Sequence, residues 1–230
     1  MTKQIIIITQ ARGGAGKSTL TFLLAEKYSH AIILDLDDAT TATMKQLAYR
    51  DPVQVSFIDK ATKRIDRGAF NSLFESVEEA GQDLFIADAG ASVAEQLPKY
   101  FEMNGSENVR ELLGQSGIDL KIICVVGGGN NFKSTMMYLD ELVESVKKDF
   151  EVTAAYNKHF PMSETQKQTF EDYCKSEGLK CFGFDLVNDK GELALRTADN
   201  VLQSGKGLAG LSPFKAVYFK GCIEELPDLF

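Results

Sequence analysis

Residues 5 to 8 are four consecutive isoleucines, and the stretch that follows, QARGGAGKST, is nearly devoid of large apolar side chains. That abrupt change recurs along the chain. Apolar runs of strand length occupy residues 4–9, 31–36, 83–88, 120–126, 152–157 and 180–186. They are almost continuous in Ile, Val, Leu and Phe instead of alternating with polar residues, the mark of strands covered on both faces. A weaker run at 53–58 predicts one more. Helical patterns separate them. Leu20, Leu23, Leu24 and Lys27 follow helical spacing after the first loop, and residues 132–150 place Met136, Leu139, Leu142, Val143 and Val146 on one face. Ser163 and Gln166, just after Pro161, form a capping-box pattern that opens a helix to about residue 175. A last helix is expected over 213–226.

Strands alternating with helices predict an α/β fold: a doubly wound, mostly parallel sheet with helices on both faces and ligands at the carboxyl ends of the strands. No repeat, low-complexity tract or linker divides the chain, so residues 1–230 read as one domain. Composition narrows the function. The net charge of −8 gives no overall basic excess of the kind a nucleic-acid-holding domain usually carries. Local patches at Lys147 and Lys148, or at Lys158 and Lys167, are more simply solvated helix faces. Four cysteines without C-x-x-C spacing and only two histidines argue against a zinc site. No apolar run is long enough to span a membrane, and no signal-peptide pattern is present. A cytoplasmic protein with reduced cysteines is expected.

The chemistry concentrates in the first loop. Gly13, Gly14 and Gly16 let successive N–H groups converge on one anion with no Cβ in the way. The helix that opens at Lys17-Ser18-Thr19 adds its partial positive charge, Lys17 adds a full one, and Ser18 is placed to ligate Mg²⁺. A dinucleotide-binding turn would need a third glycine where Thr19 stands and has no use for Lys17. A glycine-rich turn without a ligand leaves G-K-S-T unexplained.

Arg12-Gly13-Gly14-Ala15-Gly16-Lys17-Ser18-Thr19 resembles the deviant Walker A motif, [KR]-G-G-x-G-K-[ST]-[ST], of the ParA/MinD ATPases. In that family the glycine that Ala11 replaces is not required, and the second cation five residues before the lysine defines the loop. The resemblance implies that residues 13–19 bind ATP and that Arg12, in place of the usual lysine, reaches a partner's phosphates across an ATP-sandwiched homodimer. Arginine keeps the charge and adds a planar fork suited to phosphate. Asp35-Leu36-Asp37-Asp38-Ala39 is similar to the family's D-x-D-P-Q, which casts Asp37 as the group that orients or deprotonates the attacking water, with Asp35 near the metal. Asp38 and Ala39 replace Pro-Gln, and Asp38 reads as a turn or helix-capping acid. Residues 83–90 have Walker B form, with Asp88 holding Mg²⁺ through water and Gly90 in a second switch. Asn157 matches the family's adenine-contacting asparagine, and its amide carries the donor and acceptor that an adenine edge needs. Gly127-Gly128-Gly129-Asn130-Asn131 has no lysine in the place a phosphate loop requires and reads as a flexible turn with an Asn helix cap.

The resemblance thus implies a slowly hydrolysing ATPase switch, dependent on ATP and Mg²⁺, that dimerises and is read by an adaptor or cargo protein, as in plasmid partition or conjugation. DNA binding has no support from net charge. Stable membrane anchoring is not expected, because the tail is acidic, contains Pro227 and reads as a cap on the core or an interface. Two alternatives stand beside it: a metabolic enzyme on the same scaffold, such as a small-molecule kinase or a dethiobiotin-synthetase relative, and a member that binds ATP without hydrolysing it.

Overall fold

The computed structural model describes residues 2–37, 42–59, 61–62, 64–146, 148–188 and 191–230. Asp38 and Ala39, whose capping and switch readings rest on sequence, and Lys147 lie outside the described residues. The elements, in chain order, are β1 (Lys3–Thr9), α1 (Lys17–Lys27), β2 (Ile32–Asp35), α2 (Ala42–Gln46), β3 (Val53–Gln54), α3 (Ala69–Glu79), β4 (Leu84–Asp88), α4 (Ala91–Ala94), α5 (Leu97–Asn104), α6 (Ser106–Gln115), β5 (Ile118–Gly127), α7 (Phe132–Val146), β6 (Glu151–Asn157), α8 (Glu164–Glu177), β7 (Lys180–Phe184), α9 (Glu192–Ser204) and α10 (Pro213–Glu224).

The seven strands form one sheet in the order β3-β2-β4-β1-β5-β6-β7. Every pairing between them is parallel. The isoleucine run shows why the strands lack alternation. Ile5 and Ile7 enter a layer with Phe70 of α3, Phe101 of α5 and Leu139 of α7, whereas Ile6 and Ile8 enter the opposite layer with Leu23 of α1, Val201 of α9 and Phe219 of α10. Successive side chains of a strand point to opposite faces, so a strand buried on both must be apolar throughout.

Several elements depart from expectation. The strand anticipated at 53–58 is only Val53–Gln54, at the sheet edge, and Ile58 instead forms an isolated antiparallel bridge with Ile65. Helix α1 is buried at every position from Leu20 to Ala25, not along one stripe, because it lies between the sheet and the carboxyl-terminal segment. Helix α7 ends at Val146, and α8 carries the full capping box between Ser163 and Gln166. The glycine loop after β5 is not free. Gln166 both accepts from the Gly129 N–H (3.1 Å) and donates to its carbonyl (3.0 Å), and the Gly128 N–H donates to Phe160 O at 3.1 Å. No asparagine side chain there makes a helix cap among the described residues.

Residues 191–230 complete the second layer, the tail within them capping the core. Ala198, Val201, Phe219, Leu226 and Leu229 cover Ile123, Val125 and Phe184 of the sheet. The tail is fastened to α1, with the Leu229 N–H donating to the Tyr28 hydroxyl at 2.9 Å and Lys27 pairing with Asp228 at 3.0 Å. No helix of the described residues is long and apolar enough to cross a membrane.

Candidate functional site

A cavity of about 320 Å³ opens at the carboxyl ends of β1, β2 and β4. It is lined by the glycine loop, by Lys17, Ser18 and Thr19, by Asp35, Asp37 and Asp88, by Thr43 and Gln46 of α2, and by Gly90. Its size is at the lower end of ordinary ligand pockets. Parallel topology makes this place: all strands end on the same side, and beside the loop after central β1 stand the acids that close β4, its neighbour, and β2, one strand further.

The loop is tied from beneath. Gln10, fully buried directly after β1, donates through its amide to Val125 O (2.8 Å) and Thr135 O (3.2 Å) and accepts from the Arg12 N–H at 3.1 Å. Lys17 is 8% exposed, and its ammonium donates back to the Gln10 carbonyl at 2.9 Å. Burial pulls the Lys17 ammonium below its ordinary value, while the charges of Asp88 and Asp37 hold it up. Gly16 has φ 105°, and a Cβ there would lie 2.1 Å from Asn157 Nδ2, so only glycine fits.

The acids sit side by side. Asp35 of β2 and Asp88 of β4 are register partners in adjacent parallel strands. Asp35 accepts from the N–H groups of Asp37 (3.0 Å) and Met44 (3.2 Å). Burial pushes its carboxyl up to about 6, with the neighbouring Asp88 adding to the rise and the two N–H donors opposing it. Asp88 is raised by burial as well, against the Thr43 and Ser18 hydroxyls and the Lys17 charge. The Thr43 hydroxyl donates to Asp88 Oδ2, and Asp88 Oδ1 is buried without a partner among the described residues. Gln46 Oε1 is likewise buried and unpartnered. Asp37 lies against Gly90 so closely that a Cβ on Gly90 would be 2.5 Å from Asp37 Cγ.

These features suit a Mg²⁺ ion bound with a polyphosphate. Magnesium typically takes one or two carboxylates plus phosphate oxygens and water, and the site offers the Ser18 hydroxyl with Asp35 and Asp88, one oxygen of Asp88 being unsatisfied among the described residues.

Of the residues singled out from sequence, Gly13, Gly14, Gly16, Lys17, Ser18, Thr19, Asp35, Asp37 and Asp88 all line the cavity. Ala15, Arg12 and Asn157 do not. Ala15 is fully buried under the loop. Arg12 is exposed, and its guanidinium makes no hydrogen bond or ion pair with the described residues. Asn157 is buried, donating to Ala15 O at 3.0 Å and accepting from the His159 N–H at 3.0 Å, so its amide supports the loop. Sequence reasoning missed Gln10, Thr43 and Gln46. A polar residue closing an apolar strand was the one signal for Gln10, and α2, at five residues, is too short to show periodicity.

Comparison with solved structures places the architecture. The chain is 16% identical to the MinD cell division protein of Aquifex aeolicus, with 96% of this chain and 93% of that one covered at a TM-score of 0.53. It is 14% identical to a plasmid partition protein of Borrelia burgdorferi, with 88% and 97% covered at a TM-score of 0.50. No protein-family model matches the chain, and no curated protein matches it. At such identities the likeness is one of fold, and this chain has the α/β P-loop fold of MinD and of the partition protein.

Proposed function

We propose that this protein is an ATPase switch of the ParA/MinD type, closing as a dimer over two nucleotides and releasing on slow hydrolysis. The observation that carries the reading is the convergence in one cavity of the glycine loop, Lys17, Ser18 and the three acids Asp35, Asp37 and Asp88. Lys17 and the N–H groups at the start of α1 would neutralise the β- and γ-phosphates. Ser18, Asp35 and Asp88 would hold Mg²⁺. That ion supplies charge neutralisation on the phosphates when bound. Asp37, held against Gly90, would orient the attacking water and accept its proton. Arg12 would act on the nucleotide of the other protomer, and its side chain, exposed and without a partner among the described residues, supports that role.

A kinase or carboxylate-activating enzyme would need cationic groups for a second substrate, and Lys17 is the one basic residue among those that line the cavity. The names of the two solved structures, a plasmid partition protein and a cell division protein, favour partition as the setting; an adaptor or cargo protein would read the dimer.

The test is the solution mass of Asp37→Ala without nucleotide, with Mg-ADP and with Mg-ATP. A dimer with Mg-ATP alone, abolished by adding Arg12→Ala, is expected. A mass that ignores nucleotide while ATP binds would sink the switch.

A further inference from the structure

We propose that Thr43 is a positioning residue for the divalent cation of this site, acting through Asp88; the inference rests on the ATP and Mg²⁺ reading above. Thr43 is 2% exposed and its hydroxyl donates to Asp88 Oδ2. The other oxygen of the same carboxylate, Oδ1, is buried with no partner among the described residues. A buried carboxylate normally has its acceptor capacity filled, because an unpaired charged oxygen is costly. One oxygen tied and the other unpartnered among the described residues, with the Ser18 hydroxyl beside the carboxylate, is the arrangement of a group that can give an electron pair to a cation. Free to turn about its last torsion, Asp88 would present either oxygen. The threonine fixes which one it presents.

The helix that carries Thr43 is docked on both strand-end acids, since the Met44 N–H donates to Asp35 Oδ2 at 3.2 Å. The hydroxyl is also used unlike those of other buried helical threonines. Thr21, Thr135 and Thr197 donate to the carbonyl four residues back, as is usual in a helix. Thr43 instead reaches an acid 45 residues later in the chain. Hydrogen-bond partners of metal-holding carboxylates commonly set roughly 10- to 100-fold of metal affinity.

The test uses the full chain with Thr43→Val, which keeps the shape and removes the hydroxyl, and Thr43→Ser, which keeps the hydroxyl. Binding of a fluorescent methylanthraniloyl-ATP is followed in EDTA and across a Mg²⁺ titration. The valine variant is expected to need about 10-fold more Mg²⁺ for half-saturation while its affinity in EDTA stays near wild type. The serine variant is expected to restore the wild-type Mg²⁺ dependence. Equal loss with and without Mg²⁺ would reduce Thr43 to a packing role, and so would a valine variant that titrates like wild type. Should the valine variant fail to fold, a serine variant unable to sustain the wild-type Mg²⁺ titration overturns the role by itself. A wild-type protein whose nucleotide affinity ignores Mg²⁺ would bring down the ATP and Mg²⁺ reading, and the role of Thr43 with it.

Discussion

Substituting Gly90 by alanine tests the arrangement of the two switch segments with a single methyl group. Gly90 has φ −54° and ψ 157°, which any residue adopts, so alanine adds no backbone strain. Its Cβ, however, would stand 2.5 Å from Asp37 Cγ and 2.7 Å from both Asp37 Cβ and Oδ1. Carbon atoms rest at about 3.5–4.0 Å, so the Asp37 side chain must withdraw by roughly 1 Å. A displacement of that size in a catalytic group costs up to about 10²-fold in rate. The glycine loop, Lys17 and Ser18 are untouched, and nucleotide affinity should remain within about 2-fold. Stability should change little, since the entropic gain of about 0.4–1 kcal/mol from replacing glycine offsets part of the cost of moving Asp37.

Phosphate release from ATP, measured beside nucleotide affinity, reads the two effects separately. Gly81→Ala is the control, because a Cβ there meets nothing within 4 Å. Wild-type turnover in Gly90→Ala, in a protein that Asp37→Ala inactivates, would refute the steric placement of Asp37. Parallel loss of affinity and turnover would show instead that Gly90 serves the loop.

Two further predictions follow from the same geometry. The Asp35 carboxyl sits at about 6 against 3.8 for the free side chain, so the folded state binds this proton more tightly. Stability from this group is therefore present below pH 3.8 and is lost as pH rises towards 6, by at most about 3 kcal/mol. Urea unfolding between pH 4 and 7 should show that slope in wild type and a shallower one in Asp35→Asn; an unchanged slope would clear Asp35. Asn157→Ala should weaken ATP, GTP and tripolyphosphate alike, because the amide holds the carbonyl of Ala15 in the loop. A loss confined to ATP in competition binding would favour the adenine-reading role instead.

What the sequence made legible was local. Four isoleucines buried on both faces, a glycine loop ending in Lys17 at a helix start, and acids closing apolar strands each announce themselves within about ten residues. The contacts that give the site its finer form are long-range. Gln10 meets Val125 across 115 positions, Asn157 meets Ala15 across 142, and Thr43 meets Asp88 across 45. No periodicity encodes such distances. Asn157 shows the consequence: the residue type promised an amide needing a donor and an acceptor, but only the tertiary structure says that the loop supplies one of them. The last helix was expected over 213–226 and stands at Pro213–Glu224, but which face it buries was opaque for another reason. Helix α10 is apolar around its circumference, burying Phe219 while leaving Phe214 87% exposed, so no stripe distinguishes its inner face.

The two cations of the loop sharpen the point. Lys17 is bound to the Gln10 carbonyl within its own chain and lies under the electrostatic hold of Asp88 and Asp37. Arg12, five residues earlier, is anchored among the described residues through its backbone N–H to Gln10 Oε1. The same glutamine therefore fixes both residues while leaving one side chain turned inward and the other in solvent. An exposed arginine is ordinary on a protein surface and by itself argues for nothing. Its meaning comes from the loop it shares with Lys17. A single chain provides the inner cation with neighbouring acids and the outer one with none among the described residues, so the loss of the dimer in Arg12→Ala, with ATP affinity retained, is the result that would give the outer cation its function.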